Sequence, residues 1–104
     1  MQRIAFKMQL NKGAEAEYKK RHDELWPELT QLLKSTGISD YAIFLDESTN
    51  SLFGTLKIET AQLLDDLPAH PVMQKWWSHM KDIMESNPDN SPVSIPLKEV
   101  FYLP

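Results

Sequence analysis

The chain is 104 residues long, 41% hydrophobic and 25% charged, with a net charge of −4 and no cysteine. That length predicts one domain, 1–104, around one core, and the composition excludes a disordered chain, while the acidic balance argues against a nucleic-acid backbone as partner. Disulfides, thiolate metal sites and cysteine nucleophiles are excluded, and no run reaches the roughly 20 apolar residues that span a bilayer.

From Gln2 to Leu10 the apolar Ile4, Phe6, Met8 and Leu10 alternate with Arg3, Lys7 and Gln9, the period of a strand with one buried face. Its charges interrupt any apolar segment before it resembles an export signal, so the cytoplasm is the expected compartment. Asn11-Lys12-Gly13 predicts a turn with Asn11 as cap, and Ala14 begins a helix. At about 100° per residue, Tyr18, His22, Trp26, Leu29 and Leu33 share one face of it, while Lys19, Lys20, Asp23 and Glu24 lie mostly off that face. His22 is therefore aimed inward, either as a satisfied core side chain or toward a cavity where proton transfer is wanted. The Lys19-Lys20-Arg21 run, followed at once by Asp23 and Glu24, reads as a solvated helix face. Pro27 cannot donate to the carbonyl four residues back, so the helix kinks there or restarts with Pro27 in its first turn. Gly37 is the expected left-handed stop.

Ser39–Asp46 and Leu52–Ile58 alternate again, with Tyr41, Ile43 and Leu45 in the first and Leu52, Gly54, Leu56 and Ile58 in the second. The polar Asp46–Asn50 segment between them predicts a hairpin. Thr60 is expected to cap a short helix through Leu67, which Pro68-Ala69-His70-Pro71 interrupts with His70 as a turn residue. Pro71 then opens a second segment carrying Val72, Trp76, Met80, Ile83 and Met84. Asn87–Pro92 is a loop by composition, and a last strand is expected from Leu97 to Tyr102. The order βαββαβ predicts an α+β, ferredoxin-like sandwich: a four-stranded antiparallel sheet with two helices on one face. Large apolar residues occur in both alternating sets of strand positions, Phe6 and Met8 in one and Phe44 and Phe53 in the other. The uncovered face is therefore expected to be closed by a second subunit, the two sheets facing each other.

Tyr18 and His22 are four apart on a helix, so the phenol can contact the imidazole or share a ligand with it. Trp76 and Trp77 diverge by about 100°, so one packs on the sheet while the other lines the edge of a cleft, or both are core and interface side chains. Tyr41 is a cross-strand packing residue or a ligand contact, and Asp89 and Asn90 are loop caps or polar groups offered to a ligand. His79, one turn after Trp76, reads as structural or partly exposed. The three histidines share no metal-ligand spacing, and there is neither a G-x-S-x-G elbow nor a glycine-rich phosphate loop. What remains is metal-free acid–base chemistry or plain binding.

Several stretches together resemble the L-rhamnose mutarotase family over most of the chain: Ala5-Phe6-Lys7-Met8-Gln9, Tyr18-Lys19-Lys20-Arg21-His22, Trp26-Pro27-Glu28-Leu29, Tyr41-Ala42-Ile43, Trp76-Trp77, Asn87-Pro88-Asp89-Asn90-Ser91-Pro92-Val93 and the ending Glu99-Val100-Phe101-Tyr102-Leu103-Pro104. The loop and the ending are more specific than the histidine. The resemblance implies a homodimeric α/β barrel of paired ferredoxin-like sheets, and an isomerase that interconverts the α and β anomers of L-rhamnopyranose without cofactor or metal. It further implies that His22 is the proton donor and that Tyr18, Tyr41, Trp76 and Trp77 contact the sugar; all five positions hold the family residue. The chain departs from the family pattern around Thr60 to Ala69, which leaves the shape of the site open there.

The implied reaction brings a proton to the ring oxygen while another leaves the anomeric hydroxyl. The transient aldehyde then rotates and recloses on its other face. Anomers already exchange in water, so the acceleration of about 10²–10⁴ that acid–base catalysis supplies is sufficient. An imidazole with an unperturbed pKa of about 6.5 suits the task. The complementary base is open between Tyr18, a carboxylate and water. Two further readings share the architecture: a cofactor-free monooxygenase in which the inward histidine abstracts a proton from a quinol-like substrate, and a non-catalytic sugar-binding or dimerisation module.

Overall fold

Alternation of apolar side chains sets the sheet. In the computed structural model, which describes residues 1–104, β1 (Gln2–Gln9), β2 (Ser39–Asp46), β3 (Ser51–Ile58) and β4 (Ile95–Leu97) form one antiparallel sheet in the order β2-β3-β1-β4. This is the strand order of a split βαβ pair. The helices α1 (Glu15–Asp23), α2 (Pro27–Ser35) and α3 (Pro71–Met80) pack on one face. There Met8, Leu10 and Leu52 of the sheet side meet Tyr18, Leu29, Trp76 and Met80 of the helices. Burying a side chain such as Leu29 or Leu52 fully is worth about 1.5–3 kcal/mol against leaving it exposed.

Pro27 restarts the helix rather than kinking it. Trp26 is extended at φ −62° and ψ 135°, the geometry favoured before proline, and Pro27 stands in the first turn of α2, where its missing N–H costs nothing. The stop at Gly37 also has a physical form. With φ +100° Gly37 lets the Ile38 N–H donate to the Leu33 carbonyl at 3.2 Å and its own N–H donate to that of Lys34 at 3.0 Å.

Several expectations fail locally. Asn11 does not cap α1 with its side chain, which donates instead to the Asp82 carbonyl at 3.3 Å; its backbone carbonyl accepts from Ala14. Thr60 makes no side-chain cap, and Ala61–Leu64 and Leu67–Ala69 form two 3₁₀ turns, because Pro68 leaves too few residues for a stable α-helix. His70 is more than a turn residue: its Nδ1 accepts from the Val72 N–H at 3.3 Å and caps α3. Ile83 and Met84 are buried, yet lie beyond α3, with Met84 bridging Leu10.

The last strand is shorter and earlier than Leu97–Tyr102. β4 pairs Ile95 with Lys7 and Leu97 with Ala5. Pairing with β1 stops at Leu97, and Phe101, Tyr102 and Leu103 follow it outside the sheet. They are exposed, Tyr102 lying over the Arg3 guanidinium at 5.2 Å.

The second sheet face is uncovered within the chain and carries large apolar side chains among polar ones. The register aligns Phe44, Phe53, Lys7 and Ile95 in one row and Ala42, Thr55, Ala5 and Leu97 in the next. Phe44 is 64% exposed and Ile95 55%.

Candidate active site

The four-residue spacing on α1 stacks the Tyr18 and His22 rings, 4.3 Å between centroids at 30°. Trp76, from α3, meets His22 edge-on at 5.4 Å and 89°. His22 Nδ1 lies 3.0 Å from the Tyr18 carbonyl oxygen. A carbonyl only accepts, so in the neutral ring the proton is on Nδ1, and the lone pair of Nε2 is left free.

A cleft of about 930 Å³ runs between β2 and the helices, and a pocket of about 80 Å³ adjoins it. Tyr18, His22, Tyr41 and Trp76 border both, whereas Trp77 lines only the smaller. The five residues singled out in the sequence therefore converge, with Trp76 buried and Trp77 half-buried. The large cleft is almost wholly aliphatic and aromatic. Glu15, Lys19 and Asp23 of α1 are its charged lining, and at its junction with the small pocket Ser86 and Asn90 join the tyrosines and His22. No group of three His, Asp or Glu side chains is placed to hold a metal ion.

Tyr41 reaches this junction through a β-bulge. Ser39 pairs with Lys57 but Ala42 pairs with Thr55, so β2 carries one extra residue, with Asp40 at φ +48° and its carboxylate 3.2 Å from Lys57 Nζ. In an unbroken ladder from Ser39, Tyr41 would stand opposite Thr55 on the uncovered face; the extra residue turns it to the helix side. There its ring meets the edge of Phe6 at 6.1 Å. Phe6 in turn lies on Gly54, its cross-strand partner, so closely that a Cβ at Gly54 would come within 2.4 Å of the Phe6 ring. Gly54 thus makes room for Phe6, and Phe6 walls Tyr41.

Burial governs the protonation of these groups. Desolvation raises the Tyr18 phenol well above its ordinary value, helped by the nearby Tyr41, and crowding by the cleft walls pushes Tyr41 up to about 12 even though 40% of the residue is exposed. Both phenols are hydrogen-bonding groups at neutral pH and neither is a base. His22 is shifted below its ordinary 6.5, because burial penalises the imidazolium more than the Tyr18 carbonyl and Asp23 favour it.

Arg21 corrects the reading of the basic run as solvated. Its side chain is only 13% exposed: Nε donates to Glu17 at 2.7 Å, and Nη1 donates to the His79 carbonyl at 2.6 Å and to Asp82 at 2.8 Å. The pitch of α1 turns Arg21 toward the end of α3 while Lys19 stays exposed with Asp23, and the guanidinium ties the helix bearing His22 to the helix bearing Trp76. No local pattern signals this, since Asp82 lies 61 residues away. Of the two loop residues the sequence offers as polar groups, Asn90 lines the small pocket and Asp89 does not; Ser86, which no sequence pattern marks, joins it through the bridge to Pro92.

Comparisons with known proteins converge on one family. A sequence model described as L-rhamnose mutarotase matches residues 3–103. The chain is 60% identical over 103 residues to an L-rhamnose mutarotase of Brucella anthropi, covering 99% of this chain and 97% of that one. It is 58% identical over 104 residues to an L-rhamnose mutarotase of a Jannaschia species, covering 100% of each. The crystal structure of L-rhamnose mutarotase from Formosa agariphila superposes with a TM-score of 0.94 at 57% identity, covering 100% of both chains.

Proposed function

Because the chain belongs to the L-rhamnose mutarotase family, we propose that it interconverts the α and β anomers of L-rhamnopyranose, with His22 carrying the proton. The observation that carries this reading is the imidazole itself. It is half-buried between Tyr18 and Trp76, its Nδ1–H is fixed on a carbonyl, and its Nε2 is free beside a cleft large enough for a sugar.

The anomeric hydroxyl and the ring oxygen are bonded to the same carbon, so one nitrogen reaches both with a small shift. Neutral Nε2 takes the hydroxyl proton as the bond from C1 to the ring oxygen breaks and the carbonyl forms. The imidazolium then returns that proton to the departing ring oxygen, giving the open aldehyde. Rotation about C1–C2 and the reverse sequence close the other anomer. One proton is moved, none is lost, and no second base is needed. His22 is thus acceptor first and donor second, which suits a ring held neutral by burial. Tyr18 and Tyr41, kept protonated, supply hydrogen bonds to sugar oxygens, and the indoles of Trp76 and Trp77 face its C–H surface.

Saturation-transfer NMR of L-rhamnose measures the anomeric exchange directly. Native protein is expected to accelerate exchange and His22→Ala to lose that acceleration; equal rates with both proteins would remove His22 from the mechanism.

The working unit in this proposal is a homodimer whose two uncovered sheet faces pack together, completing a barrel. Support comes from Phe44, Ile95 and Leu97, large apolar side chains that the uncovered face leaves exposed in the rows they share with Phe53 and Lys7. Sedimentation equilibrium should give twice the 12.1 kDa chain mass, and Phe44→Glu should lower it to that of one chain.

A further inference from the structure

The loop Asn87–Pro92 spends nearly all of its polar side chains on itself. Asn87 Nδ2 donates to Ser91 Oγ at 3.0 Å and to the Pro92 carbonyl at 3.4 Å. Asp89 accepts from the Ser91 N–H at 3.0 Å and from the Ser91 hydroxyl. The backbone adds Asn87 N–H to Ser91 O at 2.7 Å and Asn90 N–H to Asn87 O at 2.8 Å, and the Ser86–Pro92 bridge pins the ends. Asn90 is the exception. It is half-buried, its carboxamide has no partner in the chain, and it lines the small pocket beside His22, Tyr41 and Trp77.

Asn90 has φ +73°, a conformation that asparagine and glycine both tolerate. Glycine would serve the turn equally well, so the turn does not account for the carboxamide. The pocket it faces holds about 80 Å³, the space of two or three waters, and is too small for a hexose. His22 borders both cavities, so a pyranose that reaches it from the cleft can extend its hydroxyls into the small pocket toward Ser86 and Asn90 while its apolar parts stay against the aliphatic cleft. A carboxamide carries a donor and an acceptor side by side, which matches two neighbouring hydroxyls.

We propose that Asn90 is a specificity-determining residue that reads ring hydroxyls of the bound sugar, held ready by a loop whose other polar side chains are already committed. The inference rests on the mutarotase reading for the identity of the sugar, but its test is an affinity and does not depend on turnover. Asn90→Gly keeps the backbone conformation and deletes the carboxamide. NMR titration with L-rhamnose should show binding weakened about three- to tenfold, the worth of one neutral hydrogen bond. Repeated with rhamnose analogues each lacking one ring hydroxyl, the loss should vanish for the analogue missing the hydroxyl that Asn90 contacts. Equal affinity of native protein and Asn90→Gly for L-rhamnose would overturn the proposal, as would a loss of the same size for every analogue, which would mark a loop disturbed in shape. Exchange that survives in His22→Ala would sink the catalytic reading and leave these affinities unaffected, so the two failures are separable.

Discussion

Trp76 has a histidine on each side, and the two flanks differ in everything but distance. His22 lies 5.4 Å from the indole on the inner flank, stacked on Tyr18, with Nδ1 fixed by a carbonyl. His79 lies 5.6 Å away on the outer flank, exposed, with Trp26 as its other ring neighbour at 5.5 Å. An aromatic neighbour alone therefore does not make a histidine catalytic. Burial, a fixed tautomer and a cavity at the free nitrogen do so together, and only the inner flank has all three.

The largest effect belongs to the inner flank. His22→Ala leaves Trp76 and the cleft in place and removes the imidazole proposed to move the proton, so acceleration of anomeric exchange should fall by about 10²–10⁴, to the solvent rate. Retained acceleration would break the comparison at its centre. A smaller effect follows from disturbing the wall behind Tyr41. Gly54→Ala puts a methyl group into the Phe6 ring, which must move toward Tyr41 or force the strands apart. Overpacking of this kind costs about 1–3 kcal/mol, readable as a lower Tm, and the accompanying shift of Tyr41 should weaken sugar binding in parallel. Unchanged stability would mean that Phe6 yields freely and does not position Tyr41.

The inner flank was largely legible in the sequence because its order is local. Tyr18 and His22 are four apart on one helix, Pro27 and Gly37 punctuate the helices in known ways, and the strands alternate over eight residues each. What sequence could not supply came from distant partners. The bulge that turns Tyr41 inward depends on where Ser39 and Ala42 pair along β3, and Asp40 gives no warning of its positive φ. Arg21 looked solvated because Asp82 and the end of α3 reach it only through the tertiary fold. The apolar residues from Val100 to Leu103 imitate a strand, whereas only Ile95–Leu97 pair with β1, so hydrophobicity alone places β4 too late.

The smallest effect sharpens the comparison from the outer flank. His79→Gln should change the exchange rate by less than about twofold, as expected for an exposed side chain away from the pocket. The Arg21 clamp survives the change because Arg21 holds the His79 backbone carbonyl rather than its ring. The pH profile makes the test discriminating. Catalysis begins from neutral His22, and burial holds its pKa under the ordinary 6.5, so activity should be level at neutral pH and decline only as pH falls below that value. An imidazole raised by a charge partner would instead lose its neutral form earlier, above 6.5. The same acid-side decline should persist in His79→Gln, since the titrating ring is on the other side of Trp76. A profile that turned flat in His79→Gln would move the titration to the outer flank and take the assignment of His22 with it.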